Sequence, residues 1–168
     1  MSAAPSHAQR PQVAQRAREL FRERLGSIHR DTDRVFALLM ALQFLAGLAL
    51  ATLVPAPSEA RPHVNLYLAL FLGGALSSIP ILLALARPGE RLTRHVVAVS
   101  QMLWSALLIH LTGGSIESQF HVFGSLALLA FYRDLSVLAT ATAVVVAGYL
   151  LRGMYLPLSV YRVLAASP

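Results

Sequence analysis

The run VFALLMALQFLAGLALATLV, residues 35–54, decides the fold. It holds 20 residues without a charge. As an α-helix it would be about 30 Å long, the thickness of a bilayer's hydrocarbon core. Backbone amides in hydrocarbon must find partners within the segment, so such a run spans as a helix. Pro55 and Pro57 stop it, because proline lacks the amide hydrogen and clashes with the preceding turn. Asp31 or Asp33 is placed to cap its N-terminus.

Working outward, the same signature recurs. A second apolar segment covers about Val64–Ala86, with Pro80 inside and Gly73, Gly74, Ser77 and Ser78 before it. Proline predicts a kink there, and the small residues allow close helix contact. A third runs from Val96 to Leu111 and stops at Thr112-Gly113-Gly114. A fourth, about Ile116–Tyr132, ends at Arg133-Asp134, and a fifth runs from Leu135 to Leu151, stopping at Arg152-Gly153. Met154–Pro168 is too short and broken to span. The expected fold is all-α: a transmembrane helical bundle of about five spans with an N-terminal amphipathic helix.

Composition agrees. Charged residues are 13% of the 168, about half the share of a soluble domain, and apolar residues are 56%. Cysteine is absent, which removes disulfides and thiolate metal sites. All 14 basic residues are arginine, and seven lie in the first 34 positions, so the +6 charge is mostly a tail property. Beside a hydrophobic bundle this marks a cytoplasmic flank facing anionic lipid rather than nucleic acid. Within that tail Val13, Ala17, Leu20, Phe21, Leu25 and Ile28 recur at spacings of three and four. The pattern predicts an amphipathic helix, with Arg16, Arg18, Arg22 and Arg24 meeting the membrane surface or a partner. Two regions follow: a basic tail over residues 1–32 and a membrane domain over 33–168.

Arginine placement sets the topology. The tail, the loop with Arg87, Arg91 and Arg94, and the turn at Arg133 are basic; the 55–63 and 112–118 loops are not. The first group is therefore cytoplasmic, and the expected location is the bacterial inner membrane with the N-terminus inside. Tyr67, Tyr132, Tyr149 and Tyr155, near segment ends, fit an interfacial aromatic belt, whereas Trp104, mid-segment, fits the core.

This topology carries His63, His110 and His121 to the outer ends of three helices. Three neutral imidazoles could ligate zinc, copper or, as axial pairs, haem iron. Each could equally sit half wetted at the interface with no metal. Glu117, Gln119, Tyr149 and Asn65 lie at the same level, as supporting groups. There is no Ser/His/Asp set, no pair of buried carboxylates and no nucleotide motif, so catalysis is not expected.

The block His110-Leu111-Thr112-Gly113-Gly114-Ser115-Ile116-Glu117, then Phe120-His121-Val122-Phe123-Gly124-Ser125 and Phe131-Tyr132-Arg133-Asp134, resembles a signature of one bacterial family. That family is the multi-helix membrane input region of sensor histidine kinases and related signalling proteins. The resemblance covers about Asp33 to Pro168 and implies a two-component-like sensory role with a metal or cofactor at the outer histidines. Departures are marked: Asn65 and Gln119 stand where the family has histidine, Gly148-Tyr149 replace Asp-His, and Leu135 and Leu156 replace tryptophan. A degenerate, ligand-free copy is one implication. The chain stops at Ala165-Ala166-Ser167-Pro168, where the resembling proteins continue into a further segment and an output domain. The expectation is a stand-alone relic or a truncated sensor, acting through a protein partner, a missing output domain or a homodimer. Two alternatives stand beside it: a haem- or copper-binding membrane protein using the outer histidines, and a structural subunit docking through its arginine-rich helix.

Overall fold

The computed structural model describes residues 10–53 and 62–155, and among them every regular element is a helix. α1 is Arg10–Leu53, a single helix of 44 residues. α2 (Pro62–Tyr67) continues through a π-helical turn, Leu68–Leu72, into α3 (Gly73–Ala86). α4 is Arg91–Leu111, α5 is Ile116–Leu129, and α6 is Leu135–Tyr155. By length and composition, three helical stretches can cross a membrane: Gln15–Leu53, Val64–Ala86 and Arg91–Leu111. Leu135–Leu151 is a shorter apolar helix. α5, with 14 residues, is about 21 Å long and is extended by a 3-10 turn at Ala130–Tyr132.

The stops are chemical. Gly113 and Gly114 take φ of 66° and 85°, the left-handed region glycine enters without a Cβ penalty, and α4 ends there. Arg133 also takes a left-handed φ, 52°, and turns the chain between the 3-10 segment and α6. Asp134 then caps α6: its Oδ1 accepts from the Ser136 amide at 3.0 Å and the Ser136 hydroxyl at 2.7 Å.

Pro80 lies inside α3, and a π-helical turn at Leu68–Leu72 stands upstream of it. Three expectations are corrected. Asp31 and Asp33 do not cap a helix; α1 runs through both, because nothing between Ser27 and Arg34 breaks it and Asp33 finds partners elsewhere. α6 does not stop at Arg152-Gly153 but continues to Tyr155. Tyr132 is not in an interfacial belt, being fully buried. The loop holding Pro55 and Pro57, and the segment from Leu156 onward, lie outside the described residues.

α4 is the axis of the bundle, packing against α1, α3, α5 and α6. Trp104 on α4 has no exposed surface, as its mid-segment position predicts. Its ring lies where a Cβ on Gly47 of α1 would come within 2.8 Å and one on Gly73 of α3 within 2.9 Å. Both glycines are therefore required for the indole to enter. A second core joins Phe36, Val97, Met102, Val122, Leu129, Tyr132 and Val137 from α1, α4, α5 and α6. From Val13 to Arg24, by contrast, every described side chain is exposed: Val13, Leu20 and Phe21 no less than the arginines.

Candidate functional site

Two polar networks lie inside this apolar bundle, and both hold α1. The first surrounds His121 on α5. Its Nε2 faces Gln43 Nε2 of α1 at 2.8 Å, and its Nδ1 faces Ser105 Oγ of α4 at 2.8 Å and Ser125 Oγ at 3.3 Å. Ser105 spends its own hydrogen on the Gln101 carbonyl, so Nδ1 donates to Ser105 and Nε2 accepts from the Gln43 amide. Gln101 Nε2 donates to Ser125 at 3.0 Å. Gln43 Oε1 and Gln101 Oε1 are buried without a partner. Polar groups at this depth are costly, and they cluster for that reason.

The second network ties the opposite end of the bundle, where the loop before α4 and the turn before α6 lie. The Tyr132 hydroxyl donates to Asp33 Oδ1 at 2.7 Å, and the Gly89 amide donates to Asp33 Oδ2 at 2.6 Å. Phe36 stacks on the Tyr132 ring at 5.4 Å between centroids. Arg94 Nη1 donates to Asp134 Oδ2 at 2.7 Å and lies 3.2 Å from His29 Nε2, which donates to the Tyr132 carbonyl. Arg94 is 6% exposed, whereas Asp134 is partly open, so water screens this ion pair from the carboxylate side. The Ser136 hydroxyl, together with the Ser136 amide and Arg94, holds the Asp134 carboxyl below the usual carboxylate range. The loop between α3 and α4, α1, α4, and the turn into α6 thus meet at one point. Beside it, His95 Nδ1 on α4 donates to Thr140 Oγ1 on α6 at 2.9 Å.

A third link is Trp104 Nε1, which donates to Ser77 Oγ at 2.8 Å; Ser77 in turn donates to the Met40 carbonyl. α4, α3 and α1 are joined in sequence by it.

The histidines expected at the outer face part company. His121 has both ring nitrogens engaged inside the bundle. His110 is exposed and lines a cavity with leucines of the π-helical turn, α3 and α4. The side chains of His63 and Glu117 lie outside the described residues. Among the described residues, no group of three or more His, Cys, Asp or Glu is placed to hold a metal ion. Asn65 is buried on α2, Gln119 is half-buried, and Tyr149 is half exposed against a groove of about 60 Å³ with Met102 and Val122. Arg16, Arg18, Arg22 and Arg24 stand on the free end of α1.

Sequence reasoning missed Gln43, Ser105, Asp33 and Arg94 as members of these networks. Their signal was present: a lone amide in residues 35–54, and charges abutting apolar segments where a charge must find a partner. No family model, no curated protein and no solved structure matches this chain.

Proposed function

We propose that the protein is a sensory or signal-transducing module of the bacterial inner membrane, with its N-terminus cytoplasmic and five membrane-crossing segments. The observation that carries this reading is the continuity of α1. One unbroken helix contacts His121 through Gln43, contacts Tyr132 and the Gly89 amide through Asp33, and then leaves the bundle as an exposed arginine-bearing arm. A change in helix packing inside the membrane is carried along such a rod, because a hydrogen-bonded helix does not absorb displacement as a loop does. The arm, with Arg16, Arg18, Arg22 and Arg24, delivers it to a protein partner or to a second copy. The resemblance to sensor kinase input regions supports the same role. A copper, zinc or haem site on His63, His110 and His121 is less favoured, since both His121 nitrogens already have protein partners.

The test is a distance measurement between spin labels at Arg22→Cys on the arm and Leu150→Cys on α6, in nanodiscs. Replacing Gln43 by Leu should move the arm relative to α6 while the helix content stays the same. An unchanged distance distribution would remove the transmitting role. Cysteine labelling in intact spheroplasts tests the topology: a cysteine at Gly113 should react with an impermeant reagent, and one at Gly89 should not.

A further inference from the structure

Between α3 and α4 lies a cavity of about 390 Å³ that neither network uses. Leu68, Leu72 and Leu76 form one wall; Leu103, Leu107 and His110 form most of the other. The lining is hydrocarbon except for one imidazole. We infer that this groove is a lipid-binding site that seats one acyl chain of an outer-leaflet phospholipid, with His110 donating to the lipid's ester carbonyl.

Four observations support it. The first is size: ligand sites of about 300–1,000 Å³, apolar with a few placed polar groups, are the usual form, and helix bundles hold them between helices. The second is depth. Leu68 to Leu76 on one wall spans eight residues, about 12 Å of helix, close to the roughly 15 Å of one leaflet. His110, one residue from the end of α4, stands at the outer mouth, where ester groups reside in the proposed topology. The third is the unused imidazole. His110 is exposed, and among the described residues no hydrogen bond reaches its ring. An imidazole at this depth without a protein partner has one to offer a ligand. The fourth is the wall itself. Leu68 and Leu72 bound the π-helical turn of the α2–α3 rod, a distortion found often at functional sites.

The proposal rests on the membrane-embedded reading of α3 and α4 and, for the outer leaflet, on the proposed topology. It does not depend on whether α1 transmits a signal.

The protein carries its own reporter. Trp104 is the sole tryptophan, and its ring edge and Leu107 Cδ2 both lie against Gly73, so the indole stands directly behind the Leu107 wall. The full chain, in dodecyl maltoside micelles, is titrated with phosphatidylcholine brominated on its acyl chains, a contact quencher. The expected result is a saturable loss of Trp104 fluorescence at one lipid per chain. Ala106 also lines the α4 wall, and Ala106→Phe, which fills the groove, should abolish it. His110→Leu should weaken it several-fold, and His110→Gln, which restores a donor, should recover most of the loss. If Ala106→Phe unfolds the chain, Leu72→Phe fills the groove from the opposite wall and replaces it. Quenching that never saturates, or that is equal in the filled variant, overturns the site. Brominated palmitic acid saturating where phosphatidylcholine does not overturns the phospholipid assignment. An unaltered response in His110→Leu overturns the role of the imidazole. Failure of the membrane reading would show separately, as a chain that stays monodisperse without detergent.

Discussion

The hydroxyl of Tyr132 donates to Asp33 Oδ1 across 2.7 Å, although 99 residues separate the two in the chain. Asp33 stands mid-helix on α1 with no exposed surface, and its other oxygen accepts from the Gly89 amide. A carboxyl so placed holds the first helix against the end of the fourth apolar segment and against the loop between α3 and α4.

Replacing Tyr132 by Phe keeps the stack on Phe36 and removes one hydrogen bond from a buried carboxyl. The expected loss is about 1–3 kcal/mol, the cost of a buried charged acceptor left short of a donor. Thermal unfolding in detergent, followed by circular dichroism, measures it. A change within experimental error would mean the bond adds nothing.

Asp134→Asn leaves the Arg94 guanidinium buried beside a neutral amide. Asp134 is itself partly solvated, its side chain being 27% exposed, so the expected cost is about 2 kcal/mol, below that of a fully buried pair. The acid limb of stability should change with it. The folded-state pKa lies below the ordinary 3.8, so the carboxyl's contribution is present above that value and is lost as the pH falls through the lower folded-state value. The wild type should therefore lose stability on acidification below pH 3.8 through this residue, and the Asn variant should show a shallower decline there.

Gly73→Ala places a methyl group 2.9 Å from Trp104 Cη2, too close for two carbons. The indole must shift, and overpacking of this kind costs about 1–3 kcal/mol. Gly47→Ala, at 2.8 Å from the same ring, should act alike. Trp104 emission is the readout. If either alanine variant leaves the spectrum and the melting temperature unchanged, the two-glycine slot is not a constraint.

His121→Leu removes the acceptor of the Gln43 amide and the donor to Ser105, leaving both within the bundle. A loss of about 1–3 kcal/mol is expected. Combining it with Gln43→Leu should cost less than the sum of the two single changes, because the apolar pair strands fewer polar groups. Additivity in that double-mutant cycle would show that the contact carries no coupling.

Much of the helical layout was legible in the sequence. Charge-free runs gave the apolar segments, and Thr112-Gly113-Gly114 and Arg133-Asp134 gave two of the turns, because solvation and left-handed backbone are local properties. Trp104 read as core for the same kind of reason. The rest depended on distance. Asp33 read as a helix cap because a cap is the nearest partner an aspartate can have, but its real partners come from positions 89 and 132. His110 and His121 read as one level, yet His121 packs against Ser105, five residues further into α4 than His110, and rotation about their helices sends His110 to the groove between α3 and α4 and His121 inward. A linear pattern gives depth more readily than azimuth, and a π-helical turn such as Leu68–Leu72 shifts azimuth without leaving a composition signal.

The long-range hold on α1 has a consequence for how the chain is made. Synthesis delivers Gln43 and Asp33 well before Ser105, His121 or Tyr132 exists, so the first helix enters the membrane with its polar groups unsatisfied. Until the later hairpins arrive, those groups must borrow water or lipid headgroups. The lone amide within residues 35–54 and the acid at its edge therefore make the earliest helix the least settled part of the nascent chain, and ribosome-bound intermediates ending before position 121 are where quality-control proteases should find it.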